Sequence, residues 1–193
     1  MKKLVIFFIL TLSVSVCFAK GQRDSFEFGY TYHHTINTQN NLDIELKTGL
    51  LPIAMNMAGI TMYTDFFGMG SYANIAFPLG YTITADGYTE SENKLSSNLI
   101  FSVDGFTGPV FMLFNNDKFC LPVSIGIHYY LIMVLEGIGY SFGLSANITG
   151  EYHINEQLYA YARFQFSYGF LGSQTMIISP CIGIAVKIQR SAD

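Results

Sequence analysis

Asp104, His128 and the serines around them are residues whose types could assemble nucleophilic chemistry. A carboxylate that orients an imidazole, which in turn deprotonates a hydroxyl, is the general form of a hydrolase triad. The local sequence argues against it. No sharp strand-to-helix turn presents a serine, and the serines are spaced among glycines, as in Gly139, Ser141, Gly143 and Ser145. Charge pairing alone accounts for a carboxylate beside an imidazole in a protein interior. The reading is therefore non-enzymatic, with no catalytic residues; a lipid hydrolase dependent on His128 is one alternative.

Metal and cofactor chemistry fare no better at this level. His33 and His34 are neighbours on a strand, so they face opposite sides and cannot share an ion without irregular backbone, and His153 belongs to a turn at the far end. Phosphate-cradling loops and paired zinc cysteines are absent. No metal site and no cofactor are expected. The 10 Lys and Arg are scattered in a chain of net charge -4, which excludes the clustered basic surface that nucleic acid requires.

What must position these side chains is a set of strands, because apolar residues recur at every second position. In the clearest segment Phe119, Leu121, Val123, Ile125, Ile127, Tyr129 and Leu131 share one face, and Cys120, Pro122, Ser124, Gly126, His128 and Tyr130 the other. Ile138 to Thr149 repeats the rule. So do segments beginning at Phe26, Leu42, Ala73, Leu99, Leu158 and Ile182, with Tyr81 and Ile83 continuing the face of Ala73, Ile75, Phe77 and Leu79. These make about eight strands, many near the roughly 9–11 residues with which a tilted strand crosses hydrocarbon. Tight turns are predicted at Thr64-Asp65, Asn115 to Asp117 and His153 to Glu156. The opposite ends are predicted at His33 to Asn41, Thr84 to Lys94, Leu131 to Gly137 and Leu171 to Thr175. An even strand number puts both termini on the side of the tight turns.

Alternation does not itself say which face is inside, and a soluble lipocalin-like carrier would turn its apolar face inward around a ligand. The non-apolar face decides between them. A solvated surface carries about 25–35% charged residues, whereas the polar faces of 119 to 131 and 138 to 149 carry none, in a chain 50% hydrophobic and only 12% charged. Small hydrogen-bonding residues suit the tight interior of a narrow barrel. Ile, Leu, Val and Phe then face lipid, with Tyr30, Tyr32, Tyr81, Tyr129 and Tyr168 near the outer ends, where a ring stays apolar and its hydroxyl reaches water.

A charge facing lipid at mid-depth costs about 2–4 kcal/mol, so Glu27, Asp43, Glu45, Lys47, Asp104, Arg163 and Lys187 are expected inside. Between Asn98 and Phe114 the phase breaks: Leu99, Phe101 and Val103 are apolar at odd positions, and Phe106, Val110, Met112 and Phe114 at even ones. An extra residue near Gly105 to Gly108, a β-bulge, repairs the pattern. Residue 114 then faces 119, and Asp104 stands opposite His128. An interior Asp104–His128 contact is predicted, and Glu27 with Lys187 across the closing seam. Tyr130, Tyr159, Tyr161, Arg163 and Gln165 fill the interior as a plug.

Residues 1–19 have the layout of a secretory signal. Lys2 and Lys3 are followed by an apolar core from Leu4 to Val16, shorter than a spanning helix needs, and Cys17-Phe18-Ala19 puts small residues where a peptidase reads. A lipoprotein would keep Cys17, but Val16 stands where a small residue is expected. Cleavage after Ala19 leaves a barrel domain of residues 20–193, lowers the net charge from -4 to -6, and leaves Cys120 and Cys181, predicted as free thiols at opposite ends.

Several strand signatures resemble a family. Phe119-Cys120-Leu121-Pro122-Val123-Ser124-Ile125-Gly126-Ile127-His128-Tyr129-Tyr130, Gly150-Glu151-Tyr152-His153 followed by Tyr159-Ala160-Tyr161-Ala162-Arg163-Phe164-Gln165, Ser179-Pro180-Cys181-Ile182-Gly183-Ile184, and Tyr72 to Pro78 are similar to small outer-membrane proteins of treponemal spirochaetes, classed as a domain of unknown function. The resemblance spans most of the mature chain and carries no catalytic residue. One departure is the end: the assembly machinery commonly reads a terminal aromatic, whereas here Ile188 is followed by Gln189 to Asp193. The expected fold is all-β, a closed antiparallel eight-stranded up-and-down transmembrane barrel preceded by a signal peptide. The expected protein is a monomer in outer-membrane lipid, with passage of small hydrophobic solutes or contact with a host or environmental ligand at the loops as its candidate functions. A soluble periplasmic carrier stays open as the alternative.

Overall fold

The computed structural model describes residues 21–37, 42–48, 55–92, 99–134 and 137–188. The signal segment 1–19 and the chain end after Ile188 lie outside the described residues. The strands are β1 (Gly21–Asn37), β2 (Leu42–Thr48), β3 (Met55–Met62), β4 (Phe67–Ala76), β5 (Pro78–Ala85), β6 (Tyr88–Glu92), β7 (Leu99–Asn115), β8 (Phe119–Val134), β9 (Gly137–His153), β10 (Leu158–Gly172) and β11 (Thr175–Ile188). They form eight staves. The first half of β1 pairs with β3 and its second half with β2, so β2 and β3 make one stave. β4 with β5 make the next, and β6 with β7 the one after, since β5 pairs with β6 and β4 with β7. β8 to β11 follow in order, and β11 closes on β1 from Asp24↔Ile188 to Asn37↔Thr175. Among the described residues the ring β1, β3, β4, β7, β8, β9, β10 and β11 closes without a free edge, the condition a membrane-spanning sheet must meet.

The inside and outside are as the polar faces indicated over most of the height. Ile125, Leu144, Ile182 and Ile184 face outward, each at least half exposed, while Ser145, Asn147, Ser167 and Ser179 on β9 to β11 are buried. A soluble carrier with this exterior would leave a continuous apolar belt in water, so the lipid-facing reading holds. Tight turns follow Met62, Asn115 and His153, each closed by backbone bonds such as Asn116 N to Phe119 O. Asn116 and Asn155 side chains cap the second and third turns.

Four expectations about the strands need correcting. In β7 no bulge occurs at Gly105 to Gly108; the register shifts between Met112 and Phe114 instead, so Phe114 pairs with Leu121 and not residue 119. Phe106, Val110 and Met112 consequently continue the inward face of Asp104, and all are buried. Gly105 makes this workable. The Tyr129 ring lies over it so closely that an added Cβ would stand 1.9 Å from the ring, an aromatic side chain covering a strand glycine.

In β5 the phase flips at Leu79, where the ladder to β2 shifts register between Lys47 and Thr48. Pro78, lacking an N–H, suits such an irregularity. Tyr81 therefore leaves the outward face and packs against buried Tyr130 and Ile177. In β2, Asp43, Glu45 and Lys47 are the register partners of Ile36, His34 and Tyr32, which belong to the outward face of β1. Asp43 stands outside, 3.4 Å from His34 Nε2, both partly exposed. A charged exterior is tolerated there because β1, at 17 residues, is longer than hydrocarbon requires and carries its loop end into water.

The segment Thr84 to Lys94 is not simply a loop. Asp86 and Gly87 have φ of 50° and 82° and join β5 to β6 as a two-residue hairpin, with Ala85 opposite Tyr88. Asp-Gly is the pair that such a turn favours, because both central residues are left-handed.

Candidate functional site

The lumen carries the chemistry of this fold, in three layers. Nearest the tight turns, alternation places Arg23, Ser25 and Glu27 of β1 beside Glu151 of β9 and Tyr159, Tyr161 and Arg163 of β10. Arg23 grips Glu151 with both guanidinium nitrogens, at 2.6 and 2.7 Å. Arg163 Nη2 donates to Glu27 Oε1 at 2.7 Å, and its guanidinium lies 5.0 Å from the Tyr72 ring centre and 5.4 Å from that of Tyr161. Tyr159 donates to Ser25 at 2.8 Å. Two buried acids are thus each matched by an arginine whose planar fork and ring contacts suit a poorly hydrated place.

Glu27 and Lys187 are not a pair. Lys187 stands opposite Ser25 in register, while Glu27 stands opposite Ala185. The ammonium reaches the Tyr159 ring, 6.0 Å from its centre, near the turn end. Arginine from β10 extends diagonally into the lumen and takes Glu27 instead.

At mid-height Asp104 and His128 meet, Nε2 to Oδ1 at 2.5 Å, both buried. They are diagonal, not opposite: Asp104 pairs with Tyr130, and His128 with Phe106. Gln165 joins them, its amide nitrogen 3.5 Å from Asp104 and 2.9 Å from Ser167, while its carbonyl accepts from Tyr72. Ser167 passes the chain of hydrogen bonds to Ser145 at 3.0 Å. His33 is fully buried beside this layer, with Nδ1 2.7 Å from Ser179 Oγ.

These groups do not form a catalytic triad. The imidazole that holds the aspartate is His128, whose Nδ1 has no hydrogen-bond partner among the described residues, whereas the imidazole that holds a serine is His33. A general base must contact both.

The third layer, toward the loop end, is apolar. Tyr130 and Ile177 form its core, with Tyr81 and Ile132 against them. A recess of about 580 Å³ including its open mouth is lined there by Thr35, Tyr130, Ile132, Tyr140, Ser141 and Thr175, among others. A second recess, of about 480 Å³ again including its open mouth, lies on the turn side against Glu27, Tyr72, Glu151, Tyr159 and Arg163. The two share no lining residue, and the Asp104–His128–Gln165 layer stands between them.

The cysteines are not at opposite ends. Cys120 is beside the turn at Asn116, with Sγ 3.0 Å from Asn115 Oδ1. Cys181 is at mid-strand in β11, against Thr31 at 3.2 Å and Tyr161 at 3.6 Å. Near Cys120 the structure brings together a group that the sequence reading passed over: Cys120, Glu151 and His153, whose ligand atoms all lie within 4.8 Å of one another. Cys120 and Glu151 are both inward and are partners in the β8–β9 register, a relation legible only once the pairing is known.

Solved structures share this architecture. The crystal structure of the outer membrane protein OprG from Pseudomonas aeruginosa superposes with a TM-score of 0.55 at 11% identity, covering 89% of this chain and 98% of that one. Neisserial surface protein A (NspA) gives 0.51 at 7% identity, covering 89% and 100%. At such identities the likeness is one of fold, and the fold is that of outer-membrane β-barrels. No protein-family model and no curated protein sequence matches the chain.

Proposed function

We propose that the protein is a non-enzymatic, monomeric barrel of the outer membrane whose loop-end vestibule admits small hydrophobic solutes. The observation that carries this reading is the inversion of lumen character with height. An apolar recess with an open mouth lies around Tyr130 and Ile132, above a hydrogen-bonded polar layer and two arginine–carboxylate pairs. Tyr130, Ile132 and Tyr140 supply apolar lining, interspersed with polar groups from Thr35, Asn37, Ser141, Ser173 and Thr175, and apolar walls with a few polar groups are the usual make-up of a small-molecule pocket. General diffusion of ions fits poorly, since an eight-stranded lumen is just wide enough for side chains to fill.

The chain contains no tryptophan, so Ile132→Trp places a single reporter in the vestibule. In lipid nanodiscs, a small brominated alcohol is expected to quench it at lower concentration than it quenches a Trp placed at outward Ile125. Equal quenching at the two positions overturns the vestibule reading. Contact with an environmental ligand is a second reading, supported by Tyr88 at the start of β6, which is 83% exposed. The strand signatures quoted above support kinship with the treponemal barrels. A lipid hydrolase, the enzymatic alternative, would instead show acyl hydrolysis lost on His128→Gln.

A further inference from the structure

We propose that Cys120, Glu151 and His153 form a binding site for a zinc-type divalent cation at the tight-turn mouth of the barrel. Three different donor types converge there: a thiol, a carboxylate and an imidazole, from β8 and β9. Cys120 Sγ is 3.8 Å from His153 Nε2, and His153 Nε2 is 3.7 Å from Glu151 Oε2. Zinc bond lengths with a tetrahedral angle require ligand separations of roughly 3.6 Å for sulfur to nitrogen and roughly 3.3 Å for nitrogen to oxygen. These two separations need to contract by only a few tenths of an ångström, and the third, sulfur to carboxylate, lies within 4.8 Å.

The surroundings support it. Glu151 is held from behind by both nitrogens of Arg23, the kind of outer contact that fixes a ligating carboxylate, and each carboxylate oxygen keeps a second lone pair for the ion. Asn115 Oδ1, 3.0 Å from Cys120 Sγ, is placed to give a fourth, oxygen ligand. The imidazole is ordered by its edge against Tyr159, at 5.8 Å between ring centres. Thiolate with imidazole selects borderline-soft cations such as Zn²⁺ over Ca²⁺ or Mg²⁺. Arg23 and Lys187 stand nearby and oppose a dication, so the thiolate charge is what makes the site viable. On binding, the S–H bond breaks, its proton leaves to water and the sulfur–metal bond forms; nothing is oxidised or reduced.

Co²⁺ titration of the folded protein in detergent tests this. One Co²⁺ per chain is expected, with a thiolate-to-cobalt charge-transfer band and the intense visible bands of tetrahedral cobalt, displaced by equimolar Zn²⁺ but not by excess Mg²⁺. Cys120→Ser should abolish the charge-transfer band, His153→Ala should weaken Co²⁺ binding about tenfold or more, and Cys181→Ser should change neither. Heat-modifiable gel mobility establishes that each variant is still a closed barrel. No charge-transfer band, or a band that survives Cys120→Ser or is lost in Cys181→Ser, overturns the site. So does undiminished Co²⁺ affinity in folded His153→Ala.

Discussion

Glu27 and Arg163, 136 positions apart in sequence, meet inside the barrel at 2.7 Å, with 2% and 11% of their side chains exposed. Neither could be buried ionised without the other. Removing one partner leaves an uncompensated charge, and such removal costs about 3–5 kcal/mol where the pair is buried. Glu27→Gln and Arg163→Met are each expected to lower the urea midpoint of unfolding in vesicles. The double replacement should recover most of the loss. Lys187→Met should change stability by less than either.

Asp104 and His128 should be energetically coupled. A double-mutant cycle with Asp104→Asn and His128→Gln is expected to return about 0.5–3 kcal/mol of interaction, the range for residues sharing a hydrogen bond. Additive effects would mean that the 2.5 Å contact contributes nothing beyond packing.

Exterior charge should be punished by depth. Leu144→Arg, on the apolar belt, is expected to destabilise by about 2–4 kcal/mol. His34→Arg, on the same exterior but beside Asp43 at the loop end, should stay within about 0.5 kcal/mol of the parent protein, as exposed substitutions usually do. Comparable penalties at the two positions would contradict a barrel that rises out of the hydrocarbon on that side.

Gly105 should be replaceable only if Tyr129 gives way. Gly105→Ala forces the ring aside and is expected to cost about 1–3 kcal/mol, as overpacking does. In a Tyr129→Ala background the same change should be nearly neutral, because the atoms an added Cβ would meet are those of the Tyr129 ring.

The closed barrel, the direction of its apolar belt and the three tight turns were legible in sequence because each rests on a local rule. Side chains alternate along a strand, uncharged polar faces suit a narrow lumen, and Asn or Asp marks a turn. Register is not local. A shift of one residue moves a whole face, and the two that mattered, at Leu79 and between Met112 and Phe114, occur where the sequence offers apolar residues on both sides of the break. The apolar reading of Phe106, Val110 and Met112 as lipid-facing failed for that reason. Tertiary structure alone decided that Glu27 takes Arg163, that Tyr81 enters the lumen, and that Cys120, Glu151 and His153 share one mouth. Partners inside a barrel are chosen by how far each long side chain reaches across a curved, tilted wall, a distance that chain position does not encode.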